Sequence, residues 1–92
     1  MKIEDSLNKV KYKVAAFYKF LSILDKDILL LKEELTKLAN EKEIKGTILI
    51  AFEGFNGTVC GPEEAITQFI ESLKQFLKIS DINVKYSWTE RQ

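Results

Sequence analysis

The sequence has 92 residues, of which 46% are hydrophobic, and its 14 basic and 14 acidic side chains leave no net charge. This length supports one small domain with a single core, and the balanced charge argues against a generally basic nucleic-acid-binding surface, although it allows a local basic patch. One cysteine and no histidine exclude an intrachain disulfide and argue against a zinc site. The sequence shows no long apolar run and no signal peptide, so we expect a cytoplasmic protein with no metal, cofactor or membrane contact.

The first half of the chain contains a lead-in, a strand and a helix. Residues 1–11 show no clear period, and we expect them to be loosely ordered ahead of a single domain over residues 12–92. Lysines alternate with apolar residues before a two-sided apolar run, which predicts strand one at 12–21. Asp25 is a predicted N-cap, and an apolar stripe predicts a helix that ends near Lys42. The stripe consists of Ile28, Leu31, Leu35 and Leu38.

Two further strands and a second helix complete the pattern. The β-branched and apolar residues 46–52 predict strand two. A proline and two glutamates, followed by a wide apolar stripe, predict helix two over 62–78. Alternation from Ile82 to Trp88 predicts a half-buried last strand. The order β-α-β-β-α-β predicts an α+β ferredoxin-like sandwich, with a four-stranded antiparallel sheet in the order 4-1-3-2 and two helices on one face.

The stretch AFEGFNGTVCG at 51–61 interrupts a strand-like run with three glycines. Asn56-Gly57 is the preferred pair for a two-residue type I′ turn, and we predict that the hairpin turns there. The alternative is a loop whose amides around Gly54 and Gly57 hold an anion. Glu53 disfavours that alternative because its carboxylate would repel a phosphate. A turn at Asn56-Gly57 leaves Gly54 without a structural reason.

Lysines at alternate positions of strand one suggest a second candidate site. The lysines of this parity are Lys9, Lys11, Lys13 and Lys19. Lys85 would join them if strands one and four are neighbours. On the helix-free face of the sheet, interleaved with aromatic residues, they would bind RNA by charge and stacking. The aromatic candidates are Phe17, Tyr18 and Tyr86. The alternative is a sheet edge that lysines protect against unwanted pairing.

Catalytic chemistry has little support in the sequence. Cys60 has no histidine to activate it, and we interpret it as a structural thiol near a strand end; the alternative is a thiolate stabilised by the start of helix two. The paired carboxylates lie where helix starts or solvated faces favour acids, and we assign them no catalytic or metal-binding role. They are Asp25/Asp27, Glu33-Glu34 and Glu63-Glu64.

Three blocks of the sequence resemble one protein family. They are KVAAFYKF (13–20), IKGTILIAFEGFNGTVCG (44–61) and VKYSW (84–88). Together they are similar to the N-terminal domain of the rhodanese-domain tRNA uridine hydroxylases, over about residues 12–90. That family hydroxylates the wobble uridine of certain tRNAs, and its catalytic cysteine lies in a rhodanese domain that follows this one. The resemblance implies that Cys60 is not that nucleophile and that the catalytic domain is absent from this chain.

The resemblance also implies a role and a set of contact residues. We expect a non-catalytic domain that positions tRNA or packs against the rhodanese domain of the same protein. Because the match includes the approach to the predicted turn, we expect that segment to face a partner. The candidate contact residues are Lys19, Glu53, Gly54, Asn56, Gly57, Thr58 and Lys85. The alternative is a protein–protein or oligomerisation module without RNA contact.

A second, weaker resemblance is to acylphosphatases, which share the βαββαβ arrangement. It is carried by GTVCGPEEAITQFIESL at 57–73. Their activity depends on a phosphate-cradling loop after strand one that ends in an arginine, and on an asparagine in strand two. Here the corresponding stretch, LSILDKD at 21–27, has no glycine or arginine, and strand two has no asparagine. This resemblance supports the fold and counts against phosphatase activity.

Overall fold

The structure, a computed structural model, describes residues 11–90. Residues 1–10, which hold most of the expected lead-in and Lys9, and residues 91–92 lie outside the described residues. The elements are β1 (Tyr12–Phe20), α1 (Asp25–Lys42), β2 (Lys45–Ala51), β3 (Gly54–Gly61), α2 (Glu63–Leu77) and β4 (Asn83–Thr89). The strands form one antiparallel sheet in the order β2-β3-β1-β4. The predicted ferredoxin-like fold and strand order are therefore confirmed.

Both helices bury the apolar stripe that their sequence predicts. In α1, Leu31 and Leu35 are buried, while Ile28 and Leu38 pack against the core from the side. The N-cap of α1 is Leu24, without a side-chain cap bond, so the prediction of Asp25 as N-cap is wrong by one residue. Asp25 instead occupies the first turn, where its negative charge interacts favourably with the positive end of the helix dipole. In α2 the buried residues are Ala65, Ile66, Phe69, Ile70 and Leu73.

The core lies between the helices and one face of the sheet. Phe17 of β1 is at its centre, with its ring 6.0 Å from that of Phe55 on β3 and 6.4 Å from that of Phe69 on α2. All three rings are buried, and each large apolar side chain removed from water contributes about 1.5–3 kcal/mol to folding. Because side chains alternate along a strand, the residues next to Phe17 in β1 point to the opposite face. We call that helix-free side the open face.

The hairpin between β2 and β3 turns at Phe52 and Glu53. Ala51 pairs with Gly54 across it, and Gly54 has a φ of 139°. Within residues 11–90 the non-glycine residues with positive φ lie elsewhere, at the helix ends, so the turn is neither type I′ nor type II′. Asn56 lies inside β3, between Leu49 and Tyr18. The predicted turn at Asn56-Gly57 is therefore wrong.

The strand lengths explain why Asn-Gly is not the turn. A reversal at 56–57 would leave only residues 58–61 for the strand that follows, whereas β3 pairs with β1 over the eight residues 54–61. Gly57 serves close packing instead, because a Cβ there would lie 2.6 Å from the carbonyl oxygen of Thr47. Gly54 also gains a reason, since a Cβ on it would collide with the carbonyl oxygen of Lys19. Both glycines permit neighbouring backbones to approach.

Backbone hydrogen bonds attach this turn to the segment after β1. The Leu21 amide donates to the Glu53 carbonyl at 3.2 Å, and the Ile23 amide donates to the Phe52 carbonyl at 2.9 Å. The turn is thereby held against the end of the central strand. Gly54 therefore affects both the hairpin between β2 and β3 and the contact of its turn with the segment after β1.

Substitutions at Gly54 and Asn56 distinguish the two hairpin registers. We expect Gly54→Ala to lower the free energy of unfolding by at least about 2 kcal/mol, because alanine resists the positive φ and its Cβ meets the β1 backbone. Asn56→Thr should leave that free energy within about 0.5 kcal/mol of the starting protein, because threonine suits an exposed strand position. Urea denaturation measures both. A costly Asn56→Thr beside a harmless Gly54→Ala would contradict the structure.

Candidate functional site

Two rows of side chains cross the open face from β2 to β4. The first row is Leu49, Asn56, Tyr18 and Asn83, and the second is Thr47, Thr58, Ala16 and Lys85. Each row spans four strands, or about 14 Å. The small side chain of Ala16 lies on the central strand between larger neighbours. As a result, the two rows line a shallow concavity of about 750 Å³.

The charge on the open face has one sign. Its strand positions carry Lys45 at the β2 edge and Lys85 on β4, and no carboxylate lies on this face within the described strands. The acidic residues of the described chain lie in the helices and in connecting segments. The hydroxyl groups of Thr47 and Thr58 lie in the same row as Lys85, and the row beyond it carries the amides of Asn56 and Asn83. The face therefore combines a weak positive potential with groups that both donate and accept hydrogen bonds.

An aromatic pair flanks the concavity. Tyr18 and Phe20 follow each other on the open side of β1, with ring centroids 5.8 Å apart in an edge-on arrangement. Phe20 is 81% exposed and Tyr18 is 48% exposed. A second concavity, of about 430 Å³, lies between these rings and the hairpin turn and reaches Leu49 on β2. Exposed rings on a sheet surface offer flat apolar faces to a planar ligand.

The structure divides the predicted contact residues other than Lys19 among three places. Asn56, Thr58 and Lys85 lie together on the open face. Glu53 lies in the hairpin turn, exposed to solvent. Gly54 and Gly57 lie within β3, where their role in close strand packing was described above. Whether any of these residues contacts a partner stays a prediction.

Lys19 lies apart from this group, because Lys13 and Lys19 share the helix side of β1 and not the helix-free face that was predicted for them together with Lys85. Lys19 has the same parity in β1 as the buried Phe17, so it points to the helix side, and its Nζ lies 3.2 Å from Asp81 Oδ1. Lys85 is paired with Ala16 and points the other way. Alternation in the sequence shows which lysines lie on the same side of their own strand. It does not show which side the helices cover, and the burial of Phe17 identifies that side.

Two of the three aromatic candidates also lie away from the open face. Phe17 is in the core. Tyr86 lies on the helix side beyond the cover of the helices, 48% exposed, with Lys13 Nζ 4.2 Å from its ring centroid and 5.8 Å from that of Trp88. Through these cation–π contacts, Lys13 and Tyr86 form a local cluster that is separate from the open face. Only Tyr18 is on the predicted side.

The segment after β1 offers no cradle for a phosphate. Two of its amides, those of Leu21 and Ile23, donate to carbonyl oxygens of the hairpin turn. Asp25 and Asp27 follow at the start of α1, where their charge would repel an anion. Residues 11–90 contain no group of three or more acidic, cysteine or histidine side chains arranged to hold a metal ion. No helix of this same region is long and apolar enough to cross a membrane.

Cys60 is partly buried on the open side of β3, between Val14 of β1 and Lys45 of β2. Burial raises the pKa of its thiol above the usual range. An activated thiolate requires a shift in the opposite direction. The structure therefore favours the interpretation of Cys60 as a structural thiol over a nucleophile stabilised by α2.

Several open-face residues were missed by the sequence analysis. They are Ala16, Phe20, Leu49, Thr47 and Asn83. Their parity with Tyr18 could have been counted within each strand. The register of the strands, which brings them together, was not predicted from the sequence, and the hairpin turn between β2 and β3 was placed four residues too late.

Comparison with known proteins agrees with this fold. Residues 12–92 match the family described as the UPF0176 acylphosphatase-like domain. The chain belongs to this family. The family resemblance carried by the three sequence blocks is thereby confirmed, as is the acylphosphatase-like architecture of the UPF0176 domain.

The relatives of this UPF0176 domain are longer proteins. A tRNA uridine(34) hydroxylase of Prochlorococcus marinus strain NATL2A is 70% identical over 92 residues, which are 100% of this chain and 29% of that protein. One of Prochlorococcus marinus strain SARG is 41% identical over 81 residues, 88% of this chain and 25% of the relative. One of Teredinibacter turnerae is 47% identical over 64 residues, which are 70% of this chain and 19% of that protein. The chain corresponds to the acylphosphatase-like N-terminal domain of such proteins.

The raised pKa of Cys60 predicts a slow thiol. We expect iodoacetamide to alkylate the folded UPF0176 domain more slowly than the urea-unfolded chain at neutral pH, because burial reduces the thiolate fraction. The pH at which the alkylation rate reaches half its maximum should be higher for the folded chain than for the unfolded chain. Mass spectrometry of quenched samples measures both. A folded chain with the lower midpoint would contradict the structural interpretation of Cys60.

Proposed function

We propose that this chain is the non-catalytic acylphosphatase-like domain of a cytoplasmic tRNA uridine-34 hydroxylase, and that its open face holds the single-stranded tRNA loop that carries the target uridine. The names of the relatives suggest the substrate. The observation that carries the proposal is the composition of the open face: an aromatic pair, amides, hydroxyls and two lysines, without a carboxylate on its strands. In this proposal the rhodanese domain of the full-length protein supplies the catalytic cysteine.

Stacking is the first contribution to binding. Sequence-specific proteins recognise RNA mostly in single-stranded loops, where unstacked bases lie on aromatic side chains. Tyr18 and Phe20 present such rings on a four-stranded sheet, at one side of a concavity of about 750 Å³. Base–aromatic stacking contributes about 1–3 kcal/mol per base. The two rings therefore provide the main attachment for the loop.

Hydrogen bonding is the second contribution. Asn56 and Asn83 lie on either side of Tyr18 in one row, and Thr58 adjoins them in the next. Their amide and hydroxyl groups match the donors and acceptors on the edge of a uracil base. The described strands of this face carry no carboxylate, and Glu53 of the hairpin turn lines the second concavity beside Tyr18 and Phe20. A stacked base would thus have polar partners on two strands.

Electrostatic attraction is the smallest contribution. Lys85 lies at the margin of the concavity and Lys45 at the sheet edge, and the whole chain has no net charge. Few phosphates are neutralised, so the salt dependence of binding is shallow. This suits a domain that orients tRNA for a separate catalytic domain rather than one that supplies most of the affinity.

Replacing Tyr18 tests the stacking contact. We expect Tyr18→Ala to weaken binding of a fluorescent RNA hairpin with a uridine at the wobble position by roughly 5- to 150-fold, the loss of one stacked base. Tyr86→Ala is the matched control, because both tyrosines are 48% exposed and lie on opposite sides of the sheet. Fluorescence anisotropy with this chain measures both. Equal losses, or none, would refute the proposal and favour an open face that packs against another domain.

Replacing Lys85 tests the electrostatic contact. Lys85→Gln should reduce the slope of log K against log salt concentration by about 0.7, the value for one phosphate of a single strand. Lys26→Gln, an exposed lysine at the start of α1, should leave the slope unchanged. Anisotropy titrations at several salt concentrations measure the two slopes. Equal slopes for the two variants would exclude Lys85 from the RNA contact.

A further inference from the structure

β4 has an apolar side that the described chain covers only in part. Val84 pairs with the buried Phe17 of β1, so it lies on the helix side of the sheet. Tyr86 and Trp88 follow on the same side at alternate positions of the strand. Val84 packs against the core, whereas Tyr86 is 48% exposed and Trp88 is 52% exposed. The half-burial that the alternation of this strand predicts is therefore reached at Val84 but not at the two rings.

The positions of the helices explain this difference. α1 packs on β2, and α2 packs on β1 and β3. β4 is the edge strand beyond β1, so its helix side extends past the area on which the helices pack. A sheet surface with large apolar side chains is stable when another layer packs on it. Within residues 11–90 the second half of β4 lacks such a layer.

Lys13 holds the two exposed rings in place. It pairs with Trp88 across the two strands, and its Nζ lies 4.2 Å from the ring centroid of Tyr86 and 5.8 Å from that of Trp88. Rings that are ordered before a partner binds lose less conformational entropy in the contact. Tyrosine and tryptophan are also the side chains that protein interfaces favour at their centres. We call Lys13, Tyr86 and Trp88 the β4 patch.

The lengths of the relatives indicate what covers the β4 patch. The whole of this chain matches the Prochlorococcus marinus NATL2A protein but accounts for only 29% of it. Because the chain corresponds to the N-terminal domain, most of that relative follows the position of residue 92. The peptide 89–92 spans at most about 14 Å, so the next part of such a protein begins close to Trp88. A short connection of this kind gives the following domain a high effective concentration at the β4 patch.

We propose that the β4 patch is the surface on which the following domain of the full-length protein packs. Tyr86 and Trp88 insert into an apolar surface of that domain, which completes the cover of β4. The ammonium group of Lys13 loses water in this contact, and a charge removed from water needs a partner. The following domain therefore presents a carboxylate to Lys13 Nζ. The inference rests on the lengths of the relatives and not on RNA binding by the open face.

The composition of the two sides of the sheet favours the β4 patch over the open face for this contact. The open face carries amides, hydroxyls and two lysines between its rings, whereas the uncovered part of β4 on the helix side is aromatic. Tyr18 and Tyr86 lie on opposite sides of the sheet. A domain packed on the β4 patch consequently leaves the open face accessible in the full-length protein.

Hydroxyl-radical footprinting tests where the following domain packs. Mass spectrometry gives the oxidation rate of single side chains in this chain alone and in the full-length protein, without RNA. We expect Tyr86 and Trp88 to be oxidised roughly fivefold more slowly in the full-length protein, because half-exposed rings become buried at the centre of an interface. Tyr18, which is 48% exposed like Tyr86, is the matched control and should keep its rate.

Unchanged rates at Tyr86 and Trp88 would overturn the proposal, whatever the rate at Tyr18. A second sample with the RNA hairpin added tests the open face separately. RNA binding there protects Tyr18 and leaves the rates at the β4 patch as they were. The two proposals therefore fail independently of each other.

Replacing one ring tests whether the patch acts as a unit. In the full-length protein, Trp88→Ser should raise the oxidation rate of Tyr86 to the rate in the same variant of this chain alone. Lys13→Glu should have the same effect, because two carboxylates would then meet. Leu29→Ser is the control, since Leu29 is 61% exposed on α1, and it should leave Tyr86 protected.

Continued protection of Tyr86 in the Trp88→Ser protein would assign its cover to another contact and contradict the proposal. Circular dichroism establishes that each variant is folded. If Trp88→Ser does not fold, Tyr86→Ser with the oxidation rate read at Trp88 gives the reciprocal measurement, with the same expected loss of protection.

Discussion

Phe17 packs between Phe55 and Phe69 at the centre of the core, opposite a glycine on the neighbouring strand. The absence of a side chain at Gly57 lets β3 approach β2 closely. The packing of Phe17 determines which side chains of β1 face the core. Because the strands pair in a fixed register, it also determines which side chains of the other strands face the core. A slip of one residue would reverse every side chain, so the composition of the open face depends on this one arrangement.

The distribution of charge follows from the same arrangement. Acidic residues lie in the first turns of both helices and on their solvated faces, where the helix dipole and water favour them. The helices cover one side of the sheet, so these carboxylates lie far from the open face. What the strands leave on that face is aromatic, amide, hydroxyl and lysine side chains.

Periodicity within an element was enough to predict much of the fold. Leu31 and Leu35 were placed correctly in a buried stripe because a helix repeats every 3.6 residues whatever it packs against. The order of strands followed from chain connectivity and handedness. Asn56-Gly57 misled the turn prediction, because the dipeptide is ideal for a tight turn and equally suits a strand with close neighbours. Local preference could not decide between these uses, since the deciding contact is with Thr47 on another strand.

By itself the sequence determined the elements, the fold class and the family, because these depend on patterns within short segments and on blocks such as those around Gly54. Tertiary structure alone decided which residues share a surface. Lys19 and Lys85 looked equivalent in the sequence, yet one forms an ion pair with Asp81 on the helix side and the other faces the open concavity. The physical reason is that a strand has two faces, and only the packing of the helices on Phe17 makes one of them the interior.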